Sequence, residues 1–347
     1  IILTTLGLLF MKPLLIFMKT PSDIFQDAYA YIMIICAGIA AQMLYNLMAS
    51  ILRALGNSKV PLYFLILSAL LNIALDLLLI IVFGLGASGA AYATVIAQGI
   101  SGLLCLVYVK LKVPMLHLER DDWRPKGHLL KMQFAVGVPM ALQYSITAIG
   151  TMMVQTSQNL LGSNIVAAFT AASKIEQVVT QAYVALGTTM ATYCAQNIGA
   201  GKIKRIRKGF KSATIMASIY AVVTAALIMT VGKYMTYLFV SDNVIEIMSN
   251  VDIYLKCIGV FFIPLAIVNL YRNGIQGMGY GLLPMMAGVA ELIGRGVVAV
   301  IAANKRSYFG VCMASPAAWV LAGGLLLVMY YYIMLKDMKR KFPNRIE

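Results

Sequence analysis

The chain has 347 residues, 61% of them hydrophobic and 12% charged, with a formal net charge of +15. A water-soluble domain with that balance would expose large contiguous apolar patches, so composition excludes one and makes lipid the solvent. The basic excess is divided among separate loops rather than gathered into one patch, which argues against nucleic acid as a partner.

A bilayer core needs roughly 20 mostly apolar residues per helical span. Runs of that kind fall at 1–18, 27–52, 60–83, 88–109, 131–160, 164–196, 209–239, 249–271, 282–302 and 309–335, about ten spans. The first opens Ile1-Ile2-Leu3, already apolar and without a charged leader, so it is not a signal peptide and the N-terminus reads as cut away. Arg53 and Lys59 follow the second run, and Lys110, Lys112, Arg120, Arg124 and Lys126 follow the fourth. Lys202, Lys204, Arg205, Arg207 and Lys208 follow the sixth, and Lys336, Lys339, Arg340, Lys341 and Arg345 end the chain. The intervening loops, Gly84 to Ser88 and Gly162 to Asn164, carry almost no charge. By the positive-inside rule, the basic loops and the C-terminus are expected on the cytoplasmic side. Lys305 and Arg306 break the pattern.

Cys36, Cys105, Cys194, Cys257 and Cys312 all lie inside expected spans without metal-ligand spacing, so they read as small packing residues. The two histidines, His117 and His128, sit in one loop, which leaves neither a His-based metal site nor a Ser/His/Asp triad within the membrane. The 22 Met and 19 Tyr supply polarisable and aromatic faces of the kind that suit flat, cationic cargo.

An internal repeat is visible. Arg53-Ala-Leu-Gly56-Asn-Ser-Lys-Val-Pro61 aligns with Gln276-Gly-Met-Gly279-Tyr-Gly-Leu-Leu-Pro284, with Gly and Pro each displaced by 223 positions (279 − 56 and 284 − 61). The same offset pairs Tyr31 with Tyr254. An even number of spans separates the copies, so they run parallel, and two lobes of six helices would follow.

A carboxylate within a span is a functional candidate by default. Asp76 is the clearest, with Asn72 four residues earlier on the same helix face and Thr94 in the next span. Their oxygens suit Na⁺, or a carboxylate that exchanges a proton; the alternative is simple hydrogen bonding between helices, or, for Thr94, back to its own helix. In the second copy Glu291 and Arg295 stand four apart, as an intrahelical ion pair or as groups lining a cavity. Under the repeat offset Arg295 occupies the place of Asn72 and Ala299 that of Asp76, so a fixed guanidinium would replace a mobile cation there. Gln143, Gln177 and Gln181 are uncharged polar residues of the same half, the last two sharing a face with Lys174 and Glu176 nearby. They would line a cavity or bond between helices.

The stretches Leu52 to Pro61, Asn72-Ile-Ala-Leu-Asp76, Gly86-Ala-Ser-Gly-Ala-Ala-Tyr-Ala-Thr94, Gly137-Val-Pro139, Ala195-Gln-Asn-Ile-Gly-Ala-Gly201, Tyr271 to Gly277, Glu291 to Arg295 and Ser315 to Trp319 resemble the multidrug and toxic compound extrusion (MATE) transporters, DNA-damage-inducible prokaryotic branch. The resemblance implies an all-α polytopic membrane protein of two six-helix lobes related by a pseudo-two-fold. The first, 1–109, would hold helices three to six, with helices one and two missing; 110–127 would be a cytoplasmic linker, and 128–347 helices seven to twelve. The family's first-lobe cation site is similar to an Asn and an Asp on helix five, a Thr on helix six and an Asp on helix one. Asn72, Asp76 and Thr94 match the first three, the fourth would lie outside this chain, and Tyr31 is a weaker hydrogen-bonding candidate. Some members carry a Glu on helix seven, where Gln143 is the nearest polar residue here.

The implied activity is antiport: organic cations leave by rocker-switch alternating access in exchange for Na⁺ or H⁺, with no cofactor and no catalysis, by a monomer. No Gly-rich phosphate loop is present to use a nucleotide instead. A flippase for lipid-linked sugars would demand a basic central cavity, whereas only Arg295 and Lys174 are expected to lie deep, which counts against it. An intramembrane enzyme or receptor is the remaining alternative, and convergent catalytic groups for one are lacking.

Overall fold

The computed structural model describes residues 2–17, 25–117, 122, 124–238 and 244–341. Among these residues the chain is helical and contains no strand. It divides into two compact units, Ile1–Arg124 and Pro125–Glu347, each with its own packing.

Every apolar run becomes a helix or a bent pair of helices. In the first unit these are α1 (Ile2–Phe17), α2 (Phe25–Ala37) and α3 (Ile39–Ala54), α4 (Lys59–Asp76), and α5 (Gly86–Lys112). The second unit contains α6 (Gly127–Asn159), α7 (Ser163–Gly199), α8 (Ile203–Thr230), α9 (Val244–Gly259) and α10 (Phe262–Gly277), α11 (Leu282–Asn304), then α12 (Tyr308–Cys312), α13 (Ala314–Tyr332) and α14 (Met338–Lys341). Among the described residues six helices are long and apolar enough to cross a membrane, and eight if each bent pair counts as one span. That is fewer than ten because α1 has only 16 residues and α7, at 37 residues, is diluted by polar side chains.

The repeat extends into the backbone. The α2–α3 pair bends by 47° at Gly38, and the α9–α10 pair bends by 54° before Phe262, at matching positions of the two copies. Both bent pairs then end on a left-handed glycine, Gly56 at φ 85° and Gly279 at φ 90°. The hydrogen bonds repeat as well: Gly56 N–H to the Arg53 carbonyl and Asn57 N–H to that of Leu52, against Gly279 to Gln276 and Tyr280 to Ile275. Only glycine enters this region without a steric penalty, which is why the turn punctuates both copies.

In the first unit α5 is the hub, contacting α2, α3 and α4. Small residues allow the approach: Ala91, Ala93 and Ala97 are fully buried, Gly38 faces Val95, and Gly102 faces the Tyr45 backbone. In the second unit α10 takes that place among α7, α8 and α13, with Gly277 against the backbone of Ala191 and Gly274 against Phe210. The outward faces are apolar, for example Leu65, Ile66, Ile73 and Ile81 in the first unit and Ile219, Val222, Val297 and Val328 in the second. Such surfaces are stable against acyl chains, not water.

Candidate functional site

In the first unit α4 ends at Asp76 and the chain continues as a π-helical turn, Leu77–Val82, closed by bonds such as Phe83 N–H to the Leu78 carbonyl. A π turn widens the helix locally and recurs at functional positions. At this junction Asp76 Oδ1 and Asn72 Nδ2 are buried without a hydrogen-bonding partner among the described residues. Two more orphaned atoms, Gln98 Oε1 and Ser101 Oγ, lie on α5, the helix packed against α4. Thr94 Oγ1 donates to the Ala90 carbonyl of its own helix at 3.0 Å, which leaves its lone pairs unused. Buried polar atoms are almost always satisfied, so the orphaned atoms of Asn72 and Asp76, four residues apart on one helix face, mark a place built for something further. The carboxylate of Asp76 with the amide oxygen of Asn72 and the hydroxyl of Thr94 would supply hard oxygen ligands of the kind that suits Na⁺, or a carboxylate that exchanges a proton.

Tyr31 lies on a different helix. It sits on α2, a helix packed on α5, is 37% exposed, and forms no hydrogen bond to a described residue. Gln98 and Ser101 escaped the sequence reading, although Thr94, Gln98 and Ser101 recur at the four- and three-residue spacing of one helix face.

In the second unit Glu291 is the centre of a triad. Its Oε1 accepts from Arg295 Nη2 at 3.0 Å along α11, and its Oε2 accepts from Arg272 Nη2 on α10 at 2.6 Å. The side chains are 5% (Glu291), 8% (Arg295) and 13% (Arg272) exposed, so the charges are held away from solvent. Arg272 was overlooked because its apolar run stops at 271, whereas α10 continues to Gly277 and carries the arginine inward.

Beside this triad lies a cavity of about 460 Å³. Arg295, Lys174, Glu176 and Gln177 line it together with Phe169 and Trp319. Glu176 accepts a hydrogen bond from the buried Tyr254 hydroxyl at 2.6 Å. Gln143 is elsewhere: it is 3% exposed and its Oε1 accepts from Gln276 Nε2 at 2.9 Å, bonding α6 to α10. Gln181 is exposed and outside the cavity lining, and Glu291 stands behind Arg295 rather than in the wall. The three glutamines grouped by sequence therefore have three different surroundings.

Apolar faces on nearly every helix and charges buried within each unit define a polytopic helical membrane protein. The MatE family model matches residues 1–78 and 135–301, and the chain belongs to that family, the multidrug and toxic compound extrusion proteins. It is 34% identical over 282 residues to the probable multidrug resistance protein YpnP of Bacillus subtilis, covering 81% of this chain and 62% of that protein. The chain thus spans about three fifths of the length of this relative. It is also 27% identical over 342 residues to the probable multidrug resistance protein YoeA of Bacillus subtilis, covering 96% of this chain and 73% of that one. A MOP superfamily transporter from Pyrococcus furiosus superposes with a TM-score of 0.90 at 21% identity, over 97% of this chain and 76% of that chain, a likeness of fold.

Proposed function

We propose that the chain is a secondary active exporter in which Na⁺ or H⁺ binds at Asn72, Asp76 and Thr94 and drives alternating access that expels small organic molecules. The single observation behind this reading is the unpartnered carboxylate oxygen of Asp76 at the end of α4, beside the unpartnered amide of Asn72. Asp76 is half-buried with one carboxylate oxygen closed off and unpartnered, and a proton or a cation would satisfy that oxygen, so ion occupancy and the local arrangement of α4 and α5 are coupled. Relatives named as multidrug resistance proteins support export as the direction and a varied cargo. The chain would work as a monomer in the plasma membrane, with its basic loops cytoplasmic.

Organic cations are the cargo to which aromatic and Met-rich spans point. The second unit presents the opposite polarity, since Arg295 and Lys174 line its cavity. That observation favours, as a second reading, cargo with an anionic group, the property that a flippase for lipid-linked sugars would also need.

The test is efflux of a fluorescent cation from vesicles holding the full chain, with a Na⁺ or pH gradient imposed separately, for wild type and Asp76→Asn. One gradient should drive wild-type efflux, and Asp76→Asn should abolish the dependence. Efflux indifferent to both gradients, or coupling intact in Asp76→Asn, would overturn the reading.

A further inference from the structure

We infer that the cavity of the second unit binds a small aromatic molecule through an anionic group, a carboxylate or phosphate presented to Arg295 and Lys174. The inference deepens the second reading above, cargo with an anionic group, and it depends on the export reading only in treating the ligand as cargo.

The charges in and immediately behind the wall do not cancel. Arg272, Arg295 and Lys174 face Glu291 and Glu176, leaving one positive charge in excess. Glu291 cannot neutralise Arg295 fully, because Arg272 competes for the same carboxylate and holds its other oxygen at the shorter distance, 2.6 Å against 3.0 Å. Arg295 has capacity to spare. Its Nη1 reaches the Thr147 carbonyl and Thr151 Oγ1 only at 3.5 Å, the outer limit of a hydrogen bond, while its unpartnered Nε is closed off from the cavity. A guanidinium with unused donors beside a cavity is suited to a planar, doubly accepting anion. Glu176 accepts from the Tyr254 hydroxyl through Oε2 and makes no ion pair or hydrogen bond to Arg295 among the described residues.

The remaining wall decides size and shape. A volume of about 460 Å³ suits a small molecule and is too small for a sugar chain with its lipid. Phe169 and Trp319 provide aromatic surface, and Gln155, Gln158 and Asn269 provide neutral polar groups for a ring's heteroatoms. A cation in the same place would meet the largely buried charge of Arg295 and the exposed one of Lys174, which disfavours it.

Trp319 is a built-in reporter, being 4% exposed and part of the wall. The purified full chain is titrated with a naphthalene carboxylate and, separately, with a naphthyl trimethylammonium of matched size, following tryptophan quenching, with Trp319→Phe as the blank. The carboxylate should quench saturably, its Kd should rise at least tenfold in Arg295→Gln, and the ammonium should neither quench nor compete. Lys174→Gln, at an exposed position that tolerates change, should weaken the carboxylate at least threefold even if Arg295→Gln does not fold. Tighter binding of the ammonium, or carboxylate binding unchanged in Lys174→Gln, would overturn the inference. Asp76→Asn separates the two proposals: it should abolish gradient-driven transport and leave carboxylate affinity within twofold, so loss of coupling alone counts against the export reading and not against the anion site.

Discussion

Arg272 reaches Glu291 from a neighbouring helix at 2.6 Å, closer than the 3.0 Å at which Glu291 meets Arg295 one turn along its own helix. The carboxylate thereby fastens α10 to α11 at a depth where water cannot replace either partner. Coulomb attraction between buried charges is strong, but so is their desolvation, and the balance is most visible when one charge is removed.

Glu291→Gln leaves two guanidinium groups facing each other without a counter-charge. The expected loss is about 3–5 kcal/mol, the range for breaking a buried pair by removing one member. Unfolding in mixed micelles by added sodium dodecyl sulfate would read it. Adding Arg272→Met should restore part of the loss, because one uncompensated charge disappears with the arginine. If the two changes are simply additive, the triad is not an energetic unit.

Gly279 and Gly277 separate backbone conformation from packing. At Gly279, φ is 90° and an added Cβ would meet nothing within 4 Å, so Gly279→Ala should lose only the left-handed penalty, about 1–2 kcal/mol. At Gly277 an added Cβ would fall 2.2 Å from the Ala191 carbonyl oxygen and 2.7 Å from its Cα, both backbone. Gly277→Ala must therefore push α7 from α10, with a loss at or above the ~3 kcal/mol typical of overpacking. Gly56→Ala, at the matching turn with φ 85°, should resemble Gly279→Ala. A larger loss at 279 than at 277 would contradict this account.

Much of this architecture is legible in sequence because apolar length, loop charge and punctuating glycines are local properties. Most runs from 60–83 to 309–335 lie within about four residues of a helix boundary, although 209–239 starts six residues inside α8 and 249–271 stops six short of Gly277, and the Gly56/Gly279 offset forecasts the shared turn. What sequence does not contain is the rotation of one helix against another. Asn72 and Asp76 could be paired by spacing, but Gln98 and Ser101 enter only once α5 is seen packed on α4. Gln143, Gln177 and Gln181 look alike as letters and diverge because α6 turns Gln143 toward Gln276 while α7 turns Gln177 to the cavity and Gln181 away from it. Arg272 was hidden by a polar stretch that reads as a loop and is helix.

The Gln143–Gln276 bond should behave as a membrane-type contact between helices. Gln276→Leu leaves Gln143 Oε1 without its 2.9 Å donor in a buried place. Cross-helix hydrogen bonds in membranes contribute about 0.6 kcal/mol and at most ~1.7 kcal/mol, so the loss should fall in that range. Gln143→Leu with Gln276→Leu should be less destabilising than Gln276→Leu alone, since no orphaned polar group remains. The same micellar unfolding checks it, and a double variant worse than the single would count against the bond.

Arg306 occupies the conformation that glycine holds at the other turns. Its φ is 48°, alone in this respect among described non-glycine residues, and its hydrogen bonds follow the same pattern, Arg306 N–H to the Ala303 carbonyl and Ser307 N–H to that of Ala302. The side chain is exposed, so its charge supplies no buried partner that glycine would forfeit. Arg306→Gly should relieve the left-handed penalty of about 1–2 kcal/mol and lose about 0.5–1 kcal/mol to the freer unfolded chain, for a net gain of up to ~1.5 kcal/mol. Arg306→Ala keeps the backbone penalty and removes only the charge, so its stability should stay within about 0.5 kcal/mol of wild type. Equal stability of the glycine and alanine variants would show that the turn at the end of α11 relaxes to another conformation instead of storing strain.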